Sequence, residues 1–270
     1  MIVAVAGDRL PVVRSRRAPY GRRIVIPLQD NVPTRHVPIV TWSLILVNAV
    51  VFVIELSLPG PVLEHAIYHL GLVPARFTDP AWGAQVGLTA NSFWPFLTSM
   101  FLHGGWLHII FNMWALWIFG DNVEDRMGHG RYLVFYLLCG IVAAVTMTVV
   151  TPSTTVPTIG ASGAIAGILG AYFIFYPTAE VIVLLPIFIF PLFFSVPAVV
   201  YIGFWFFMQF LTGTLSLMSS SEAAGGIAWW AHVGGFIAGA LLCKPFAMRL
   251  RHGRHVYPDE YGTVGPWYRK

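Results

Sequence analysis

Apolar residues along the chain gather into long runs separated by polar stretches. The first run, Ile39 to Leu56, has about the length needed to cross ~30 Å of hydrocarbon at ~1.5 Å of helix rise per residue. Further runs predict spans at about Trp106 to Gly120, Tyr132 to Thr151, Gly160 to Tyr176, Pro197 to Leu211 and Ile227 to Phe246. Residues 57–92, with Pro59, Pro61, Pro74 and Pro80, read as a long loop lying partly in the interface through Tyr68, Phe77 and Trp82. Asp121, Glu124, Asp125, Arg126 and Arg131 mark a charged turn, and residues 152–159 an uncharged loop of Thr and Pro. Residues 181–194 are apolar, but Pro186 and Pro191 interrupt them, which predicts an irregular approach to the fifth span rather than a crossing. The expectation is an all-α polytopic membrane protein with six transmembrane helices.

Composition agrees, since 57% of the 270 residues are hydrophobic and 10% are charged, against about 25% charged in soluble domains. The formal charge of +4 says less than its placement. Seven Lys and Arg precede the first span, two lie between the second and third, and six follow from Lys244 onward; only Arg76 falls on the other side. Cytoplasmic loops retain basic residues, so six spans with both termini cytosolic is the consistent topology. It divides the chain into an Arg-rich cytosolic tail at 1–37, a six-span domain at 38–246 and a basic cytosolic tail at 247–270, in a cell (plasma) membrane. Ile2 to Ala6 is too short for a signal-peptide core, and Asp8, Pro11 and Pro19 favour a cytosolic tail over a transit peptide. Cys139 and Cys243 lie in or at the end of apolar runs and read as buried structural thiols. Nothing in the charge pattern indicates nucleic-acid binding.

The candidate chemistry centres on Gly160-Ala-Ser-Gly163. Ser162 opens a helix carrying Gly163, Gly167, Gly170 and Ala171, whose backbone a partner helix can approach closely. Ala231, Gly235 and Gly239 recur every four residues on the sixth span, and His232 borders that small-residue face. On the six-span topology both Ser162 and His232 sit just below the outer surface. A serine hydroxyl is a weak nucleophile unless a base takes its proton, and neutral imidazole suits that near pH 7. Asp and Glu are absent from all six spans, with Glu55 and Glu222 only at outer edges, so the pattern predicts a Ser-His dyad. The plainer reading of Ser162, a small residue packed between helices, fits Gly-x-Ser-Gly alone equally well.

A second constellation is His103-Gly-Gly-Trp-Leu-His108-Ile-Ile-Phe-Asn112. His108 and Asn112 are four apart and share a helical face, as donors to a developing oxyanion must, and the Ser162 backbone N–H adds a third. His103 precedes the Gly104-Gly105 break and is assigned to holding the long loop. Zinc on His103, His108 and His232 is the rival use, but the first two are five apart, about 500° around a helix, and no His-Glu-x-x-His occurs. The dyad needs no metal and no cofactor. Trp114, Trp117 and Trp205 read as lipid contact and core.

The His103-Gly-Gly-Trp-x-His108-x-x-x-Asn112 run, the Gly160-Ala-Ser-Gly163 helix start and Ala231-His-x-x-Gly235, in that order and on matching spans, resemble rhomboid intramembrane serine proteases. Val123-Glu-Asp-Arg-Met-Gly128 is also similar, so the resemblance covers about residues 38–246. It implies Ser162 as nucleophile, His232 as general base, His108 and Asn112 as oxyanion-hole side chains, and Gly160 as room for the substrate backbone. At Ala166 some members have a Tyr that stacks on the catalytic His, so the resemblance leaves the orientation of His232 unassigned.

The activity so implied is endoproteolysis of single-span membrane proteins in or near their transmembrane helix, close to the outer face. A helical peptide bond is shielded and already hydrogen-bonded, so a substrate must unwind locally. The fifth span, with the Ser- and Gly-rich loop 212–226, is the candidate lateral gate. An inactive relative that binds and escorts membrane clients is the alternative, but it is expected to lack the nucleophile or the base, and both are here. A small transporter lacks support, since no span carries a central acid or an inverted repeat of broken helices.

Overall fold

A computed structural model describes residues 30–187, 190–218 and 228–248. The Arg-rich segment 1–29, residues 219–226 of the Ser- and Gly-rich loop, and the basic tail from residue 249 lie outside the described residues. The chain is mostly helical. Its principal helices are α1 (Ile39–Ser57), α6 (Trp106–Met127), α7 (His129–Val150), α8 (Ser162–Phe175), α9 (Ala198–Met218) and α10 (Trp229–Phe246), and these starts fall close to the six sequence runs. Among the described residues three helices, Ile39–Ser57, His129–Val150 and Ala198–Leu217, are long and apolar enough to cross a membrane; Ser162–Phe175 is apolar but shorter.

Helix α8 is the hub, apolar on every side and buried from Gly163 to Tyr172. Its glycines let two neighbours in at backbone distance. A Cβ on Gly163 would meet Ala143 of α7 at 2.7 Å, and one on Gly170 would strike the Phe236 carbonyl and lie 2.9 Å from the Ala240 nitrogen of α10. Gly235 and Gly239 in turn face the Gly163 and Gly167 carbonyls, so the small-residue faces expected to pair do so.

Two buried carboxylates bracket α1. Pro38 offers its first turn no side-chain cap; instead Glu124 of α6 accepts from Val40 N–H (2.9 Å), Thr41 N–H (2.8 Å) and the Thr41 hydroxyl (2.7 Å). An acceptor there satisfies orphan donors and sits at the positive end of the helix dipole. Glu124 also lies 2.6 Å from His129 Nδ1. At the far end of α1, Glu55 accepts the His103 backbone N–H.

Three expectations are corrected. Residues 57–92 are not an extended loop but carry short helices α2 (Gly60–Leu70), α3 (Ala75–Thr78) and α4 (Pro80–Gln85), followed by α5 (Pro95–Thr98). Pro61 and Pro80 fall in first turns, where a missing N–H costs nothing. Arg76, the one basic residue that broke the charge pattern, is buried there and donates to the Thr89 and His69 carbonyls. Residues 181–194 are not irregular: β1 (Glu180–Ile187) and β2 (Phe190–Pro197) pair antiparallel with Pro186 opposite Pro191. Of the charged stretch read as a turn, Asp121 to Arg126 belong to the last part of α6 and Arg131 to the first turn of α7.

This framework sets the approach to α8. Leu72 and Thr158 exchange backbone hydrogen bonds of 3.0 and 2.7 Å, Ala75 N–H donates to the Thr154 carbonyl, and Gly160 N–H donates to the Ser99 carbonyl at 2.8 Å. The segment delivering Gly160 and Ser162 is thereby tied to the α2–α5 layer.

Candidate active site

Ser162 is the first residue of α8 and His232 lies in the first turn of α10. The close packing of those helices brings Ser162 Oγ to 2.8 Å from His232 Nε2. His232 Nδ1 lies 2.7 Å from Gln209 Oε1 on α9. A neutral imidazole donates from one nitrogen and accepts at the other. With a carbonyl oxygen at Nδ1, that nitrogen carries the proton and Nε2 presents its lone pair to the serine O–H.

His108 shows the opposite arrangement. Gly104 N–H donates to His108 Nδ1 at 3.3 Å, which leaves Nε2 as the protonated donor. That Nε2 faces Gly160: a Cβ there would lie 2.6 Å from it and 3.7 Å from Asn112 Nδ2. Gly160 has φ +124°, a backbone conformation that L side chains rarely adopt, so both its backbone and its surroundings require glycine. Asn112 Nδ2 spends one hydrogen on the His108 carbonyl at 3.0 Å, on the helical face expected from the four-residue spacing. Two side-chain donors thus border the backbone at Gly160, two residues before Ser162. A cavity of about 20 Å³ adjoins it, lined by Leu72, Met100, Ala143, Gly163 and Ala231 among others.

His103 stands apart from Ser162. Its ring is buried edge-on to His108, with centroids 5.1 Å apart. Burial, helped by the neighbouring His108, pushes its pKa down to about 4 against a raising hydrogen bond at Phe101. Glu55 holds the backbone N–H of His103 and not its ring.

One residue of the site was missed by sequence reasoning. Gln209 was passed over as part of an apolar run, although a buried amide in a span is itself a signal. Trp205 packs against the core as expected and also lies over His232 with ring centroids 5.8 Å apart, and Trp229 meets the same ring edge-on at 6.5 Å. Trp117 does face outward, 56% exposed and stacked on Trp42. Ala166 is fully buried, and even a methyl on Gly235 would touch it at 3.4 Å, so α10 leaves no room for an aromatic ring at this position.

The fold and this geometry define a helical membrane protein with a serine–histidine pair where its two most closely packed helices begin. Residues 90–249 match the family model of the Rhomboid domain, more than half of the chain, and the protein belongs to the rhomboid family. It is similar to the rhomboid protease GluP of Bacillus subtilis, with 42% identity over 93 residues, 34% of this chain and 18% of that protein. YdcA of the same organism is 31% identical over 138 residues, covering 51% of this chain and 62% of YdcA. The rhomboid protease AarA of Providencia stuartii is 32% identical over 148 residues, half of each chain. The chain thus spans less than two thirds of the length of these relatives.

Proposed function

We propose that this protein is an intramembrane serine endopeptidase whose domain, residues 38–246, crosses the membrane six times with both termini in the cytosol. The observation that carries the reading is the 2.8 Å approach of Ser162 Oγ to His232 Nε2.

In this reading His232 Nε2 takes the serine proton as Oγ attacks the scissile carbonyl. The oxyanion that forms is met by His108 Nε2–H, Asn112 Nδ2–H and the Ser162 backbone N–H, and Gly160 leaves the space for it. The imidazolium returns the proton to the leaving amine, and water then hydrolyses the acyl-serine by the same route. The 14-residue α8 spans roughly 21 Å, short of the ~30 Å hydrocarbon core, so its N-terminal serine lies at a depth that water reaches through the loops above it. The 20 Å³ cavity suits a small side chain beside the cut. Single-span membrane proteins in the cell (plasma) membrane are the substrate class, cleaved in or near their span toward the outer face.

The test is cleavage of a single-span substrate by purified wild type and Ser162→Ala, with labelling by a fluorophosphonate and reporters placed after residue 246, near Arg126 and within 219–226. Cleavage and labelling should disappear in Ser162→Ala, and the reporters should read cytosol, cytosol and outside. Wild-type cleavage by Ser162→Ala would end the serine-protease reading, and opposite locations for the first two reporters would end the six-span topology.

A further inference from the structure

The resemblance left open what orients His232, and the geometry answers from an unexpected helix. We propose that Gln209 is the positioning residue of this site: its side-chain carbonyl accepts a hydrogen bond from His232 Nδ1–H, fixes the tautomer that leaves Nε2 a lone pair for Ser162, and makes the base depend on the placement of α9. The inference rests on the serine-protease reading above.

Gln209 is 8% exposed on a helix otherwise rich in Phe, Leu and Val, where an amide without a partner would be costly. Its oxygen meets His232 Nδ1 at 2.7 Å, as short as a good charge-assisted bond. Trp205 precedes it by four residues, hence on the same face, and covers the same imidazole. One face of α9 therefore supplies both a hydrogen bond and a ring contact to the base, while Val200, Phe204, Phe207 and Leu211 are exposed on other sides. Among the described residues Gln209 is the acceptor at Nδ1, since Ser162 Oγ meets the ring at Nε2 and the Trp229 indole donates only. A neutral amide also orients the imidazole without burying a charge in hydrocarbon, which a carboxylate in its place would do. Because α9 is joined to α8 by the β1–β2 hairpin and is also the candidate gate, a gate displaced from α10 withdraws the group that sets the tautomer. The base is then correctly oriented only when α9 lies closed against it.

The experiment compares wild type, Gln209→Leu and Gln209→Glu in three readouts: kcat and KM on a single-span substrate, the rate of fluorophosphonate labelling, and the tautomer of His232. The last comes from two-bond ¹H–¹⁵N correlation on histidine-labelled protein, with the signal assigned by its loss in His232→Ala. Leu has no acceptor, whereas Glu keeps an acceptor oxygen in either protonation state. Gln209→Leu should lower kcat and labelling by about tenfold to a hundredfold with little change in KM, and should mix the tautomers. Gln209→Glu should restore most of both and hold the Nδ1–H form. An unchanged tautomer and unchanged kcat in Gln209→Leu would overturn the assignment, as would a Gln209→Glu variant no better than Gln209→Leu. A wild type that neither cleaves nor labels overturns the protease reading instead, and the tautomer measurement still reports the hydrogen bond.

Discussion

Gly160 carries the tightest constraint on any single residue of the site, since its φ of +124° and the His108 ring 2.6 Å from a potential Cβ each exclude a side chain. His108, Asn112 and His103 then divide the work by position. Asn112→Ala should reduce kcat about 10² to 10³-fold, the usual effect of one oxyanion donor, because His108 Nε2–H and the backbone N–H remain. His103→Ala should instead lower the melting temperature while leaving kcat per folded molecule near wild type, because its ring meets His108 and not Ser162. Parallel kinetics and melting curves of the two variants check this, and a His103→Ala protein that is stable but slow would move His103 into the site. His108 and Asn112 could be paired in the sequence by their four-residue spacing on one helix, and Ser162 and His232 by the small-residue faces they border and by the ordered motifs that resemble rhomboid proteases. That Gln209 and Trp205 meet His232 could not be read there, because spacing along α9 shows that they share a face but not which neighbour that face meets. That choice is made by tertiary packing.

The helices were legible at the level of elements because a membrane demands long apolar runs, and the small-residue faces of α8 and α10 predicted their own pairing. The β1–β2 hairpin was not legible. Its prolines signalled a break, yet Pro186 stands opposite Pro191, so the two residues without N–H groups occupy matching positions and leave the rest of the ladder paired. The α2–α5 layer was missed for a related reason, since prolines that begin helices look in sequence like prolines that interrupt them. The α9–α10 contact makes its own prediction. Gly213 of α9 lies against Trp229 and Trp230, and a Cβ there would meet the Trp229 Cβ at 3.1 Å. Gly213→Leu should wedge the helices apart and lower kcat, and adding Gln209→Leu should cost little more, since both changes remove one and the same hydrogen bond. A double-mutant cycle measures the coupling, and full additivity would mean that the position of α9 does not act through Gln209.

Across the whole molecule, buried polar groups join the elements that the apolar runs only bring near one another. Glu124 and Glu55 hold the two ends of α1, and Asp30 ties the segment before α1 to α6, α8 and the hairpin. The Asp30 carboxyl accepts from Asn122 Nδ2 at 2.6 Å and from the Tyr172 hydroxyl, residue 30 forms a bridge with Val181, and Asn31 Oδ1 accepts from Glu180 N–H. Burial raises its pKa from 3.8 to about 6, although the hydrogen bonds from Tyr172 and Val32 pull the other way. A carboxyl raised in the folded state binds its proton more tightly there than in the unfolded chain. Its contribution to stability is therefore full below about 4 and is lost as pH climbs through about 6, a change of up to ~3 kcal/mol. Asp30→Asn keeps a carbonyl acceptor for Tyr172 and removes the titration. Melting of both proteins in detergent from pH 4 to 7.5 reads the Asp30 carboxyl together with its coupling to Asp121, whose pKa is raised by burial and by the Asp30 charge. Wild type should lose stability relative to Asp30→Asn as the pH passes about 6, and a constant difference across that range would show that the strap is indifferent to the charge on Asp30.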